Sequence, residues 1–144
     1  MSDPKQTAKF LERVPLFGGL NTRQLEHLAR RFVEREYPAG QAIVTQGAGG
    51  EGFFVIVSGR AEAIRERADG SKAVVNTFGP TDFFGELALL DDGLRTASVV
   101  TTEPTRCLVL TRWDFLAALR EDPEMAIIVL QELARRFRRA LEAL

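Results

Sequence analysis

The sequence predicts a mainly β protein with helices at both ends, namely an antiparallel β-roll of the jelly-roll type. Two observations carry this prediction. Between residues 38 and 111, short apolar runs of strand length are separated by turn residues, several of them glycine. At the two ends of the chain, apolar residues recur instead at helical spacing. We therefore expect a single domain over residues 1–144, with an N-terminal helical segment (1–37), the β-roll (38–111) and C-terminal helices (112–144).

Composition limits the class of protein. The 144 residues are 45% hydrophobic and 27% charged, as is ordinary for a globular domain, and the net charge of -1 argues against binding to nucleic acid. No apolar run approaches the roughly 18–20 residues of a membrane span, and the first residues lack the apolar core of a signal peptide. The single cysteine, Cys107, excludes an internal disulfide. These features predict a cytoplasmic protein without membrane insertion.

The first predicted helix begins near Thr22. Asn21 and Gln24 have the spacing of a capping box, in which each side chain bonds the other residue's backbone N–H. We expect the helix to continue to about Glu36 with one apolar face. The residues of that face are Leu25, Leu28, Ala29 and Phe32.

Six short runs are predicted as strands because they are rich in apolar and β-branched residues and end at turn residues. They are residues 42–44, 52–57, 61–67, 72–78, 96–100 and 105–110. Between the third and fourth runs, Ala68-Asp69-Gly70-Ser71 is typical of a hairpin turn. Strands this short and this evenly spaced favour a rolled antiparallel sheet.

The C-terminal third predicts two helices, Arg112–Glu121 and a longer one starting at Pro123. The longer helix carries an apolar row with alternating spacings of three and four, as in a heptad repeat. We call this row the C-terminal seam; it consists of Ile127, Leu130, Ala134, Phe137, Leu141 and Leu144. The seam could serve a homodimer, a regulated protein partner, or packing against the β-roll. Four arginines between residues 135 and 139 lie off the seam, which favours a solvated basic face.

Residues 83–100, FFGELALLDDGLRTASVV, place charged residues between two apolar ends. Gly85 permits unusual backbone dihedrals, and the residues after it predict the first turn of a short helix, whose free N–H groups could face a phosphate. Arg95 could give the same phosphate a bidentate cation. Glu86 would repel a phosphate, so we expect it to accept from a sugar hydroxyl. Together these residues predict a site for a small sugar phosphate.

This stretch closely resembles the phosphate-binding cassette of the cyclic-nucleotide-binding domain family, in which F-G-E-[LI]-[AG]-L is followed after a short gap by R-[STA]-A-x-V. FGELALLDDGLRTASV has that pattern, within a cassette at residues 83–98. Further upstream, VPLFGGLNTRQLEHLA is similar to the family's N-terminal helical turn, and PAGQAIVTQGAGGEGFFVIVSGRAEAI to its first strands. The family includes catabolite activator protein, kinase regulatory subunits and gated channels.

The resemblance implies roles for eight ligand-binding residues. Glu86, helped by the Gly85 backbone, would accept from the ribose 2′-hydroxyl. Arg95 would pair with the cyclic phosphate, together with the backbone N–H groups of Leu87 and Ala88.

On the base side, the resemblance implies that Thr96 lies near the phosphate and the base edge. Ala63 and Val75 would form apolar walls for the base. The final helix, around residues 133–137, would act as a lid. No catalytic residue, metal or cofactor is implied, and the ligand would be cAMP or cGMP.

The chain departs from the family pattern at two places. Thr81-Asp82 stands where Gly-Asp is usual, and Leu94 stands where proline often precedes the arginine. Both changes concern loop stiffness and affinity more than ligand chemistry. Thr96 resembles cGMP-selective members as well as bacterial cAMP-binding ones, and we favour cAMP.

The expected function is therefore non-catalytic binding of a cyclic nucleotide, with conformational signalling through the C-terminal helices. An enzyme of the metal-dependent cupin type is disfavoured because the chain has one histidine, His27. A DNA-binding regulator would carry a winged helix-turn-helix after the long helix, and none follows here. The remaining alternative is a degenerate β-roll that acts as a structural or protein-interaction module without a ligand.

Overall fold

The computed structural model describes residues 3–49, 52–91 and 93–144. The chain divides into two compact units. The helical unit contains the described parts of Met1–Phe32 and Trp113–Leu144, and the β unit is Val33–Arg112. Within the described part of the chain, no helix combines the length and the apolar character that crossing a bilayer requires.

The helical unit is built from four α-helices and one 3₁₀ turn among its described residues. These are α1 (Pro4–Leu11), the 3₁₀ turn (Pro15–Phe17), α2 (Thr22–Ala29), α3 (Arg112–Glu121) and α4 (Pro123–Glu142). The predicted capping box is present at the start of α2: the Gln24 N–H donates to Asn21 Oδ1 at 2.8 Å and the Asn21 N–H to Gln24 Oε1 at 3.0 Å. Fully buried aromatic rings such as Phe17 and Phe115, 6.0 Å apart, pack the interior of this unit.

The predicted end of the first helix is wrong. Helix α2 ends at Ala29 rather than near Glu36, and Val33–Tyr37 forms a strand, β1. The reason is tertiary: all five residues of β1 pair with one strand near the end of the β unit, from Val33↔Val109 to Tyr37↔Thr105. Valine and tyrosine fit a half-buried strand, and the pairing outweighs the favourable helix propensity of the intervening glutamate and arginine residues.

The β unit has eight described strands in two antiparallel four-stranded sheets. They are β1 (Val33–Tyr37), β2 (Ala42–Val44), β3 (Gly52–Ser58), β4 (Ala61–Glu66), β5 (Lys72–Phe78), β6 (Phe83–Phe84), β7 (Ser98–Thr101) and β8 (Thr105–Thr111). One sheet has the order β1-β8-β3-β6 and the other β2-β7-β4-β5. This arrangement confirms the predicted antiparallel β-roll with helices before and after it in the chain.

The core of the β unit draws residues from both sheets. It contains Val44, Phe54, Ile56, Ala61, Ala63, Phe78, Val99, Cys107 and Val109. Cys107 is fully buried among them, and this burial raises the pKa of its thiol to about 11. A thiol in that environment stays protonated near neutral pH and behaves as a small apolar residue.

The C-terminal seam is exposed: five of its six residues lie on α4, and Leu144 follows the end of that helix. Leu130 is 63% and Phe137 66% accessible, while the buried side of α4 carries Met125 and Val129 instead. An apolar row of this length on a helix surface is typical of an interaction surface.

A small ionic network links α2 to α3 in the helical unit. Arg31 Nη2 donates to Glu121 Oε1 at 2.5 Å, and His27 Nε2 lies 3.1 Å from Glu121 Oε2. The Arg31 hydrogen bond is the main reason why the pKa of the Glu121 carboxyl lies below its ordinary value, with the charges of Arg31 and His27 acting in the same direction.

Candidate functional site

A cavity of about 480 Å³ opens in the β unit. Its wall contains apolar residues from β2, β4, β5 and β7 together with described residues of two stretches, 84–88 and 93–97, and Asp91. Small-molecule sites in proteins have volumes of about 300–1,000 Å³ and combine an apolar lining with a few polar groups. This cavity has that size and that mixture.

Seven of the eight residues predicted to bind the ligand line the cavity together. They are Ala63, Gly85, Glu86, Leu87, Ala88, Arg95 and Thr96. Val75 is not among the lining residues: it lies at a bulge in β5, opposite Ala63 and Ile64 of β4, and is 46% exposed. The roles assigned to these residues towards a nucleotide stay predictions.

Gly85 determines how the cassette backbone enters the cavity. It has φ +84° and precedes a 3₁₀ turn, Glu86–Leu89, which is the short helix that the sequence predicts. A Cβ atom on Gly85 would lie 2.5 Å from Arg95 Nη1 and 2.6 Å from the Gly52 carbonyl oxygen. Glycine is therefore required here both for the left-handed backbone and for the close approach of Arg95.

The guanidinium of Arg95 is held by two contacts. Its Nη2 donates to the Gly52 carbonyl at 2.7 Å, and its guanidinium carbon lies 6.0 Å from the centre of the Phe54 ring. That ring in turn stacks on Phe84 at 5.0 Å. A guanidinium fixed in this way beside an apolar cavity is pre-oriented to bind an anion.

The 3₁₀ turn uses one of the backbone N–H groups to which the family resemblance gives a role in phosphate binding. The Ala88 N–H donates to the Gly85 carbonyl at 3.0 Å in this structure. The Glu86 carboxylate oxygen Oε2 is buried at the wall of the same cavity. Leu89, fully buried, anchors the turn, whereas Leu87 is 60% exposed.

Thr81 lies in a left-handed conformation just before the cassette, with φ +74°. It is in this position that the resemblance expects glycine. The turn is closed by hydrogen bonds from the Thr81 N–H to the Ile56 carbonyl at 2.8 Å and from the Gly79 N–H to Asp82 Oδ2 at 2.8 Å. A β-branched side chain at positive φ is strained, so this turn holds its shape at a conformational cost.

Sequence reasoning missed several parts of the site. The apolar cavity residues Val44, Phe78, Phe84, Ala97 and Val99 come from elements far apart in sequence. Their alternation along predicted strands could have indicated an inward face, but not which strands meet. Among the described residues, no group of three or more His, Cys, Asp or Glu side chains could hold a metal ion.

Comparison with known proteins now identifies the family. The model of the cyclic nucleotide-binding domain matches residues 34–122, which include the whole cavity wall. The chain belongs to the cyclic nucleotide-binding domain family. The predicted resemblance is thereby confirmed at the level of the family.

Two relatives are longer than the region that they share with this chain. The chain is 38% identical over 126 residues to the "Cyclic AMP receptor protein" of Thermus thermophilus, covering 88% of this chain and 58% of that protein. It is 41% identical over 106 residues to the "cAMP-dependent protein kinase regulatory subunit" of Aspergillus fumigatus, covering 74% of this chain and 25% of that protein. The chain thus spans little more than half of the first of these cyclic nucleotide-binding relatives.

Solved structures give the same fold. The N-terminal domain of a transcriptional regulator from Streptomyces coelicolor superposes with a TM-score of 0.86 at 30% identity, over 94% of both chains. The two chains therefore share the β-roll fold over the region that superposes.

Proposed function

We propose that this chain binds a cyclic nucleotide without catalysis, with cAMP favoured over cGMP, and signals through its C-terminal helices. The proposal rests on one observation: the pre-oriented Arg95 guanidinium and the Glu86 carboxylate line the same cavity. A cyclic nucleotide carries one anion and one ribose hydroxyl on a rigid ring system, and this pair of side chains matches both. The apolar residues beside them, such as Ala63 and Val99, offer a surface for the base.

The names of the two relatives support cAMP as the ligand, since both refer to that nucleotide. Each of them extends well beyond the region shared with this chain, so the signalling partner is a separate question. The second candidate is a β-roll module without a ligand. The departures at Thr81 and Leu94 bear on affinity more than on binding, and the intact Glu86, Arg95 and Thr96 argue against this candidate.

The decisive measurement is a calorimetric titration of the wild type with cAMP and with cGMP. Arg95→Ala should lose about 2 to 5 kcal/mol of binding free energy, which is roughly a 30- to 5,000-fold loss of affinity. The reason is that the phosphate would enter the cavity without the guanidinium that pairs with it. Arg106→Ala is the matched control: this arginine is also in the β unit and pairs with Glu34 at 3.0 Å, but does not line the cavity. Failure of the wild type to bind either nucleotide at millimolar concentration would favour the module without a ligand.

The role of Glu86 can be isolated by removing the hydroxyl from the ligand. If Glu86 accepts from the ribose, Glu86→Ala should weaken binding of cAMP by about ten-fold or more and leave binding of 2′-deoxy-cAMP nearly unchanged. Equal losses for the two ligands would mean that Glu86 acts on the fold of the cassette rather than on the sugar.

We also propose that the exposed C-terminal seam packs against the same seam of a second copy of the chain. A regulated protein is the other candidate partner. Heptad spacing and an exposed apolar surface favour helix pairing. Light scattering at about 100 µM should give a dimer for the wild type. Leu130→Glu should give a monomer, and the exposed off-seam control Gln131→Glu should remain a dimer. A monomeric wild type would contradict the homodimer and leave a regulated protein partner or packing against the β-roll as the role of the seam.

A further inference from the structure

The side chain of Gln46 completes the end of a β-sheet. Strand β4 pairs with β7 only as far as Ile64↔Ser98, whereas its pairing with β5 continues to Glu66↔Lys72. At Glu66 the Gln46 carboxamide takes the position of the next strand. Its Nε2 donates to the Glu66 carbonyl at 2.9 Å, and its Oε1 accepts from the Glu66 N–H at 2.8 Å.

The backbone of the same segment binds the backbone of Arg95. The Gly47 N–H donates to the Arg95 carbonyl at 2.8 Å, and the Arg95 N–H donates to the Ala48 carbonyl at 2.9 Å. A further hydrogen bond runs from the Gln46 N–H to Ser98 Oγ at 2.8 Å. Both polar backbone groups of Arg95 are therefore bonded to a loop that Gln46 fixes to β4 and β7.

This loop has little apolar packing of its own. Gly47, Ala48 and Gly49 are exposed, and Gly47 has φ +81°. Without buried apolar side chains, the position of such a loop depends on its hydrogen bonds. Gln46 is half-buried and supplies three of them, two through its side chain.

We propose that Gln46 is a positioning residue, which fixes the backbone of Arg95 and thereby sets the affinity of the cavity for its anionic ligand. Gln46 does not line the cavity, so it acts through Arg95 and not through contact with the ligand. This inference rests on the proposed function, because it takes Arg95 to be the phosphate-binding residue. A binding group held to within about 0.5 Å needs neighbours of this kind, which hold its backbone and head in place.

The test compares Gln46→Met, which keeps the length of the side chain but removes both hydrogen bonds, with Gln41→Met as the control. Gln41 is exposed in the same β unit and bonds Thr101 through its backbone, which methionine retains. Calorimetry with cAMP should show a loss of about ten-fold or more for Gln46→Met and no change for Gln41→Met. In the Arg95→Ala background, Gln46→Met should have no further effect, since the residue through which it acts is gone.

Gln46→Glu supplies a readout that a merely structural role would not move. An ionised carboxylate cannot donate to the Glu66 carbonyl, whereas the protonated acid can both donate and accept like the amide. Affinity for cAMP should therefore be low for Gln46→Glu at pH 7.5 and recover relative to the wild type only as the pH falls through about 4.3, the ordinary pKa of a glutamate. Unchanged affinity in both Gln46 variants would overturn the inference and leave the proposed function intact.

Amide hydrogen exchange, measured without nucleotide, separates the two proposals. Exchange at the N–H groups of Gly47 and Arg95 should accelerate in Gln46→Met by about ten-fold and stay unchanged in Gln41→Met. If the wild type binds neither nucleotide, the proposed function and the link from Gln46 to affinity both fail, while faster exchange still assigns the positioning of Arg95 to Gln46. Unchanged exchange at both amides would overturn that assignment.

Discussion

Substituting Gly85 by alanine tests whether the cassette is built as the structure shows. The new Cβ would lie 2.5 Å from Arg95 Nη1 and 2.6 Å from the Gly52 carbonyl oxygen, closer than non-bonded atoms approach. The guanidinium would have to move, and its hydrogen bond to Gly52 would break or lengthen. We therefore expect Gly85→Ala to lower both the stability of the β unit and its affinity for the nucleotide.

The loss of folding free energy expected for Gly85→Ala has two contributions. Placing an L-residue at φ +84° costs about 1–2 kcal/mol. Forcing a methyl group into occupied space adds about 1–3 kcal/mol. Gly70→Ala isolates the first part, because Gly70 has φ +86° in the exposed β4–β5 hairpin and a Cβ atom there would have no neighbour within 4 Å. The difference between the two variants should thus be about 1–3 kcal/mol.

Urea unfolding followed by far-UV circular dichroism measures this difference, provided that the slope of the transition is the same in both variants. Titration with cAMP measures the second effect, which should be a loss of binding for Gly85→Ala and normal binding for Gly70→Ala. The reasoning is refuted if the two variants unfold at the same urea concentration and bind equally well, since the guanidinium could not then lie against Gly85.

Two further predictions concern strain and pH. Thr81→Gly should stabilise the protein by about 0.5–1 kcal/mol, because it removes a β-branched side chain from a residue at φ +74°. The control Thr77→Gly, in the regular strand β5, should destabilise the protein. Urea unfolding midpoints that fall for both variants would contradict this account. The lowered pKa of Glu121 means that its ion pair with Arg31 stabilises the fold above the unfolded-state pKa of about 4.3 and is lost as the pH falls through the native value. The stability of Glu121→Gln should therefore approach that of the wild type between about pH 6 and pH 3, and a gap that stays constant would exclude the ion pair as its cause.

Much of the fold could be predicted from the sequence because local signals coincide with the elements. The hairpin at Asp69-Gly70 follows from turn chemistry alone, and in the structure the Gly70 N–H donates to the Arg67 carbonyl at 2.9 Å. Strand β1 could not be predicted in this way, because its partner β8 lies about 70 residues further along the chain and its alternating charges also suit a helix.

The site was predictable to the extent that its groups are contiguous in sequence. Gly85, Glu86 and Arg95 belong to one pattern of residues, and the cavity brings them together. The contribution of Gln46 has no local signal, since its hydrogen-bond partners Glu66 and Ser98 are 20 and 52 residues away in the sequence. The bulge that sets Val75 out of the regular pairing of β4 and β5 likewise depends on strand register and not on residue type.

The burial of Cys107 has a practical consequence. Thiol-reactive dyes and spin labels attack the thiolate, and a fully buried thiol with a pKa of about 11 presents almost none at neutral pH. Cysteines introduced on the surface can therefore be labelled selectively while the native residue stays in the core. A pair of such labels, one on strand β5 and one on helix α4, would report the distance between the β unit and the C-terminal helix with and without nucleotide.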